Sequence, residues 1–339
     1  MLDSKENRSW IFMCAGSKAI ASLVNNLKIS HPKKKIYGID VNLNIDDSHK
    51  NIFENFYSIP FPNDDNFITS LINIIEEIGP SMLIPGADEE AYYIGDYKNI
   101  IEKHNVLCNV MSGSIIKSLM NKLYMTEKVS KLNPDFSVNF TQIYNNNELK
   151  NICEQMGYPN KKIILKPIIG RGRRNTYIIS EKYMKKQKED MIPSISLSEI
   201  LKKDIIKHNS MMVMQYVEGE SVTIDVLANK GVIIKTVIRK WNKNWRFPFP
   251  GQQIIIDKKI DKLIKIISKV IKLHGLIDID VIKTKDGRIV FLEVNPRPSG
   301  SAVVSEVAGI PIFSLLENIL EEKKINKKDF KYIKEINNI

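Results

Sequence analysis

Short apolar runs alternate with amphipathic stretches over the first third of the chain. Residues 10–14 form an apolar run that leads through a small-residue turn into apolar positions at helical spacing, at residues 20, 23, 24 and 27. Further strands are predicted at residues 35–40 and 82–85, with a helix over residues 67–78 between them. This order of strands and helices predicts a doubly wound α/β domain with a parallel sheet.

The pattern changes after residue 113. A helical stretch follows, and strands are predicted at residues 163–166, 176–179 and 211–216, with an antiparallel pair at 222–227 and 231–239. The second half of the chain therefore has an α+β rather than a repeating strand and helix character.

A polar β-hairpin is predicted near the C-terminal end. Residues 278–282 and 291–297 read as strands, and Asp286-Gly287 between them is a strong hairpin signal. With these two as the turn residues, Asp280 lies opposite Glu293 and Asp278 opposite Asn295. The four polar side chains then share one face, and apolar side chains occupy the other.

This polar face suggests a cation site. Two carboxylates about 5 Å apart repel each other by about 3 kcal/mol at an effective dielectric near 20. A divalent cation removes that penalty, and two carboxylates with an amide suit Mg²⁺, which takes further ligands from nucleotide phosphates. A solvated acidic face is the alternative explanation of the same residues.

Composition restricts the class of protein. The 339 residues are 43% hydrophobic, enough for two or three cores, and no apolar run is long enough for a membrane span. The N-terminus lacks a signal-peptide pattern, so we expect a cytoplasmic protein. The three cysteines, Cys14, Cys108 and Cys153, show neither zinc-site nor disulfide spacing. The net charge of +11 admits nucleic-acid binding, but the lysines are scattered, which favours an anionic small substrate such as a nucleotide.

The order of several motifs resembles the ATP-grasp superfamily, with closest similarity to the carbamoyl-phosphate-synthase-like branch of carboxylate ligases. The most specific motifs are residues 165–167, residues 217–220 with Asp225, and residues 292–300. The resemblance covers nearly the whole chain. It implies a pre-ATP-grasp α/β domain at residues 1–113, a small lid subdomain at 114–212 and a C-terminal subdomain with the metal hairpin at 213–339.

The resemblance also implies roles for individual residues. Lys122 and Lys166 would bind the phosphates, the loop after Lys166 would cradle them, and the strand end near residue 216 would read the adenine. Glu220 is the candidate for the ribose hydroxyls. The implied ATP-binding residues are Lys122, Lys166, Gly170, Arg171, Gly172, Gln215, Tyr216, Val217 and Glu220. Asp280, Glu293 and Asn295 would hold two Mg²⁺ ions, with Mn²⁺ as an alternative metal, and Arg297 and Arg239 would contact the transferred phosphoryl group.

Three segments depart from the family pattern or admit two explanations. Gln215 and Ser221 stand where many relatives carry acids, and the loop at residues 170–174 is richer in arginine than usual. The aromatic side chains Trp241, Trp245, Phe247 and Phe249 either form an acceptor pocket or pack in the core. The turn at residues 15–17 falls short of a dinucleotide-binding motif, which favours a scaffold or substrate-side role for the first domain; residues 85–90 are a candidate substrate contact.

The function expected from the resemblance is ATP-dependent ligation. A small-molecule carboxylate becomes an acyl phosphate with release of ADP, and an amine then displaces phosphate to give an amide. We expect no nucleic acid or membrane partner; a homodimer is one assembly that the sequence allows, and the sequence does not fix the oligomeric state. Two alternatives remain: a non-catalytic ATP-binding regulatory protein, which would shift in thermal stability without ADP production, and a basic nucleic-acid-binding protein, whose affinity would depend steeply on salt.

Overall fold

A computed structural model describes residues 9–42, 44–170, 174–181, 192–203, 205–208, 210–241 and 252–325 of the protein. The chain divides into two compact units. Unit 1 comprises Met1–Ser118, Ser221–Asp280 and Val294–Ile339, and unit 2 comprises Leu119–Glu220 and Val281–Glu293. Each unit is therefore built from segments that are distant in the sequence.

Unit 1 contains a parallel five-stranded sheet in the order β3-β2-β1-β4-β5. Its strands are β1 (Trp10–Met13), β2 (Ile36–Asp40), β3 (Phe56–Ser58), β4 (Met82–Ile84) and β5 (Leu107–Cys108). The accompanying helices are α1 (Lys18–Ser30), α2 (Asp47–Lys50), α3 (Phe67–Ile78), α4 (Asp88–Asp96) and α5 (Lys98–Ile101), followed by a 3₁₀ turn at Glu102–His104. The predicted doubly wound α/β architecture is confirmed.

Local sequence signals explain where these helices begin and end. Ser17 caps α1 by accepting a hydrogen bond from the Ile20 amide, and the buried side chains of α1 recur at the predicted spacing. Gly79 ends α3 in the left-handed conformation, with φ of 60°, and its amide donates to the Ile75 carbonyl. The helix over Phe67–Ile78 has the predicted bounds.

Unit 2 is built around a second five-stranded sheet in the order β6-β10-β7-β8-β9. The strands are β6 (Phe140–Ile143), β7 (Ile163–Pro167), β8 (Tyr177–Ile179), β9 (Ser194–Ile195) and β10 (Met211–Gln215). The helices in this part of the chain are α6 (Gly113–Met120), α7 (Lys122–Leu132), α8 (Asn146–Gln155) and α9 (Leu197–Lys202), with 3₁₀ turns at Pro134–Phe136 and Ile205–His208. Strand β10 pairs with both β6 and β7, and β7 continues through β8 to β9, so β7 lies in the middle of the sheet.

A third sheet has the order β13-β12-β11-β14-β15. Its strands are β11 (Gly219–Asn229), β12 (Val232–Trp241), β13 (Gln252–Ile255), β14 (Gly275–Thr284) and β15 (Ile289–Asn295). The last helices are α10 (Lys258–Val270), α11 (Val303–Val307) and α12 (Ile312–Leu320). The predicted antiparallel pair is β11 with β12, and it continues into β13.

The hairpin turn has a different register from the predicted one. The Thr284 amide donates to the Arg288 carbonyl at 3.0 Å, and the Gly287 amide donates to the Thr284 carbonyl at 2.9 Å. Gly287 has φ of 76°, so the loop is a three-residue turn ending on a left-handed glycine. The predicted two-residue turn at Asp286-Gly287 was wrong, because Lys285 also belongs to the loop and Thr284 is the residue opposite Arg288.

Apolar side chains from several elements of unit 1 form one core. Trp10 and Phe12 of β1 are fully buried there with Phe313 of α12, and the rings of Phe12 and Phe313 lie 5.6 Å apart. Within the described residues, no helix combines the length and the apolar character that a membrane crossing requires.

Candidate functional site

Unit 2 brings two lysines and a glutamate together. Lys122 is the first residue of α7, whose N-cap is Asn121, and its side chain is buried. The Lys122 Nζ lies 3.2 Å from Glu293 Oε2 and also donates to the carbonyl of Gly170, the first residue of the predicted phosphate loop. A carboxylate therefore balances the charge of Lys122 where the phosphate is expected.

Lys166 belongs to the same cluster. It lies in the central strand β7 and is 7% exposed, with its Nζ 3.5 Å from the Leu292 carbonyl. Burial lowers the pKa of Lys166 to about 8, the nearby Glu293 carboxylate opposes this shift, and Lys122 adds to it. A bound anion stabilises the charged form of a buried lysine more than that of an exposed one, because less water screens the interaction.

Unit 1 brings together three oxygen-bearing side chains of β14 and β15. The Asn295 Nδ2 donates to Asp278 Oδ2 at 3.0 Å and to Asp280 Oδ2 at 3.3 Å. Thr223 of β11 donates its hydroxyl to Asp280 Oδ1 at 2.8 Å. One amide therefore holds two carboxylates, as expected if all three share a face of the hairpin.

These residues fit a hard divalent cation. Asp278 is 4% exposed, and its Oδ1 is buried without a hydrogen-bond partner. Burial raises the pKa of Asp278 well above its ordinary value, and the neighbouring Asp280 charge raises it further. In the described part of the chain, no three His, Cys, Asp or Glu side chains form a group that could hold a metal; carboxylate and amide oxygens together are ligands that Mg²⁺ accepts.

Arg297 follows this acidic group. Its Nε lies 3.1 Å from Asp88 Oδ1, at the start of α4, and its Nη1 lies 3.5 Å from Asp278 Oδ2. Nη1 also donates to the Pro298 carbonyl at 3.1 Å. The guanidinium is thus held between two aspartates, and its predicted contact with the phosphoryl group stays a prediction.

The chain is similar to several known proteins. The family model described as "ATP-grasp in the biosynthetic pathway with Ter operon" matches residues 207–338. The carbamoyl phosphate synthase large chain of Clostridium acetobutylicum is 23% identical over 272 residues, which are 70% of this chain and 24% of that protein. The chain thus spans about a quarter of the length of that relative.

Solved structures extend the similarity to almost the whole chain. A biotin carboxylase from Campylobacter jejuni has a TM-score of 0.69 at 15% identity, covering 96% of this chain and 73% of its own. An L-amino acid ligase from Bacillus licheniformis has a TM-score of 0.64 at 14% identity, covering 96% and 77%. The chain has the ATP-grasp fold. The resemblance inferred from the sequence motifs is confirmed.

Arg239 lies in the interior of unit 1. It is 1% exposed, and its Nη2 lies 2.6 Å from Oδ1 of Asp225, which is completely buried. Its Nη1 donates to Gln252 Oε1 at 3.1 Å and to the Ser301 carbonyl at 2.9 Å. Ser305 completes the network with a 2.8 Å hydrogen bond to Asp225 Oδ2.

Sequence reasoning missed most of this network. Gln252, Ser301 and Ser305 carry no motif that marks them as partners of Arg239. The one available signal was the antiparallel pairing of β11 with β12, which sets Thr223 opposite Arg239 and brings Asp225 onto the neighbouring strand. Arg239 therefore has a clear structural role in this buried network, and its catalytic role stays a prediction.

The remaining predicted nucleotide residues lie in unit 2. Gln215 ends β10, and Val217 is buried. The Tyr216 amide donates to the Lys162 carbonyl at 3.3 Å, and the Lys162 Nζ lies 5.0 Å from the Tyr216 ring centroid. Glu220 lies at the start of β11. Their contacts with ATP stay predictions.

Several predictions fall outside the described residues. Arg171 and Gly172 of the predicted phosphate loop lie there, as do Trp245, Phe247 and Phe249 and the side chain of Trp241. The predicted phosphate cradle and acceptor pocket therefore remain predictions from the sequence.

In the turn at residues 15–17, the Gly16 amide is hydrogen-bonded to a side chain of the protein itself. Asp40, at the end of β2, accepts hydrogen bonds from the amides of Gly16 and Asn42, each at 2.9 Å. A dinucleotide site would need the Gly16 amide for a pyrophosphate and an acid at the end of β2 for a ribose. Both groups are engaged with each other, and the scaffold or substrate-side role of this domain stays a prediction.

Proposed function

We propose that the protein is an ATP-dependent ligase that activates a carboxylate as an acyl phosphate, releases ADP, and couples the acyl group to an amine. The observation that carries the proposal is the pairing of buried Lys122 with Glu293 beside buried Lys166. In unit 1, Asp280 and Asn295 are two of the proposed metal ligands, and the Asp278 carboxylate lies beside them; oxygen atoms of this type are those that Mg²⁺ prefers. The L-amino acid ligase named above makes an amino acid a reasonable class of carboxylate to test first.

Each side chain has a role in this proposal. Lys122 and Lys166 bind the phosphates, and Asp280, Glu293 and Asn295 hold two Mg²⁺ ions, which neutralise phosphate charge when bound. Gly170 to Gly172 cover the phosphates, residues 215–217 contact the adenine, and Glu220 contacts the ribose. Arg297 and Arg239 contact the transferred phosphoryl group or the acyl phosphate. The proposal includes a cytoplasmic location and a homodimer.

The chemistry requires no side-chain nucleophile. The substrate carboxylate attacks the γ-phosphorus, the bond between that phosphorus and the ADP oxygen breaks, and ADP leaves. The amine then attacks the acyl carbon, phosphate departs, and the amine loses a proton. The lysines and Arg297 contribute by positioning groups and by stabilising negative charge.

We expect Mg²⁺-dependent release of ADP and phosphate when the correct carboxylate and amine are both present. The test is an ADP-release screen over pairs of amino acids and small carboxylates, with mass spectrometry of the product and quenched-reaction analysis of the nucleotides. AMP and pyrophosphate would reject the mechanism. A thermal shift with ATP but no ADP from any pair would favour a regulatory ATP-binding protein instead.

The lowered pKa of Lys166 predicts that the protein takes up a proton when it binds ATP at high pH. With a pKa of about 8, its amine is about 90% neutral at pH 9 and about 10% neutral at pH 7, and bound phosphates favour the charged form. Binding at pH 9 should therefore take up close to one proton more in the unmodified protein than in Lys166→Arg, because a guanidinium stays charged.

Calorimetry at pH 7 and 9, in buffers of different ionisation enthalpy, measures this uptake. Subtracting the Lys166→Arg result removes the nucleotide's own protons. Equal proton uptake by both proteins at pH 9 would contradict the prediction.

The lowered pKa of Lys166 also affects the stability of the fold. Its pKa in the folded protein lies below its pKa in the unfolded chain, so the free-energy cost of burying charged Lys166 is full below pH 8. This cost falls as the pH rises toward 10.5.

A further inference from the structure

The guanidinium of Arg297 is tied to the N-terminal α/β domain. Its Nε lies 3.1 Å from Oδ1 of Asp88, which is 5% exposed, and its Nη1 lies 3.5 Å from Oδ2 of Asp278. Two carboxylates thus compete for one arginine. Asp278 lies beside the proposed metal ligands Asp280 and Asn295, whereas Asp88 begins α4, within the segment 85–90 that is a candidate substrate contact.

Asp88 is held on a well-supported turn. It is the first residue of α4, where a negative charge is favoured by the helix dipole. Glu90 closes the turn by accepting hydrogen bonds from the Gly86 amide at 2.9 Å and the Ala87 amide at 3.0 Å. A Cβ at Gly86 would lie only 2.4 Å from the Met13 carbonyl oxygen, so this turn packs directly against the end of β1.

We propose that Asp88 is a positioning residue for the ligation reaction: it fixes the orientation of Arg297 and keeps this arginine from moving fully onto Asp278. This inference rests on the proposed function. An arginine has several rotatable bonds, so contacts at two different guanidinium nitrogens restrict its plane much more than one contact does. The N-terminal domain therefore contributes to catalysis through Arg297.

The positioning role has a kinetic signature. If Arg297 contacts the phosphoryl group mainly in the transition state, misplacing it lowers kcat and leaves ATP binding intact. A displacement of about 1 Å can cost about 100-fold. We therefore expect Asp88→Asn to lower kcat about 100-fold, with KM for ATP changed less than threefold.

A double-mutant cycle tests whether Asp88 acts through Arg297. The variants are Asp88→Asn, Arg297→Met and the pair, assayed by ADP release with the substrate pair from the screen. The pair should be no slower than Arg297→Met alone by more than threefold. Asp47→Asn is the matched control, because Asp47 also lies in a helix first turn but its side chain is 89% exposed.

Protein quality is checked independently of turnover. Calorimetric titration with MgATP must give one site per chain for every variant compared. If Asp88→Asn does not reach this stoichiometry, Asp88→Ser takes its place with the same expected result.

The outcomes separate the two hypotheses. A kcat within threefold of the unmodified protein for the Asp88 variant, or a double variant slower by the product of both single effects, would overturn the positioning role and leave the ligase assignment intact. MgATP binding without ADP from any substrate pair would reject the proposed function, and the inference with it.

Discussion

Glu293→Gln is expected to lower Mg²⁺-dependent ADP release by at least about 10³-fold. Glutamine keeps the shape of the side chain and removes the negative charge of the carboxylate that we propose as a metal ligand. A loss of this size corresponds to about 4 kcal/mol of transition-state stabilisation, in the range that a bound metal supplies to phosphoryl transfer. Steady-state ADP release at saturating Mg²⁺ measures it.

The same substitution should leave metal-free ATP binding within about threefold. Glu293 competes with phosphates for Lys122, from which it lies 3.2 Å, so its removal favours the nucleotide. Glu293 also raises the pKa of Lys166, so its removal makes that lysine easier to deprotonate and opposes the gain. Binding and turnover are therefore expected to separate in this variant, which a general folding defect would not produce.

Glu127→Gln is the matched control for that experiment. Glu127 is an exposed residue of α7, the helix that begins with Lys122, so the control removes the same charge from the same unit. It should keep full turnover. Retention of more than a tenth of the activity by Glu293→Gln would show that Glu293 is not an essential metal ligand.

The elements of the fold follow closely from the sequence pattern. The helix over Phe67–Ile78 and the strands of the parallel sheet have strong local signals, such as apolar periodicity and the Gly79 cap. The hairpin turn was placed correctly but its register was not, since Asp-Gly is compatible with loops of two or three residues. The side chains of Asp278, Asp280 and Asn295 nevertheless meet, since the Asn295 amide donates to both carboxylates.

Contacts between distant segments could not be predicted in this way. Asp88 was noted as a candidate substrate contact, and Arg297 as a phosphoryl ligand, but nothing local indicates that they form an ion pair. The Arg239 network likewise draws its partners from three separate segments. Such pairs depend on how sheets and helices pack, and periodicity within one element carries no information about that packing.

Asp225→Leu is expected to destabilise unit 1 by about 3–5 kcal/mol, because it leaves Arg239 buried and without its carboxylate. Asp225 is completely buried and Arg239 is 1% exposed, so water cannot replace the lost partner. Arg239→Met should cost a similar amount by leaving Asp225 unpaired. Ser305→Ala removes one hydrogen bond to Asp225 and should cost only about 1.5–3 kcal/mol.

The double variant Asp225→Leu/Arg239→Met distinguishes a buried ion pair from ordinary packing. Removing both charges together relieves the desolvation cost of each, so the double variant should be more stable than either single variant. Urea unfolding followed by tryptophan fluorescence reports unit 1 selectively, because the three tryptophans, Trp10, Trp241 and Trp245, all fall within its segments. Additive losses would show that the two side chains stabilise the unit independently, and that Arg239 is held by Gln252 and Ser301 rather than by its charge partner.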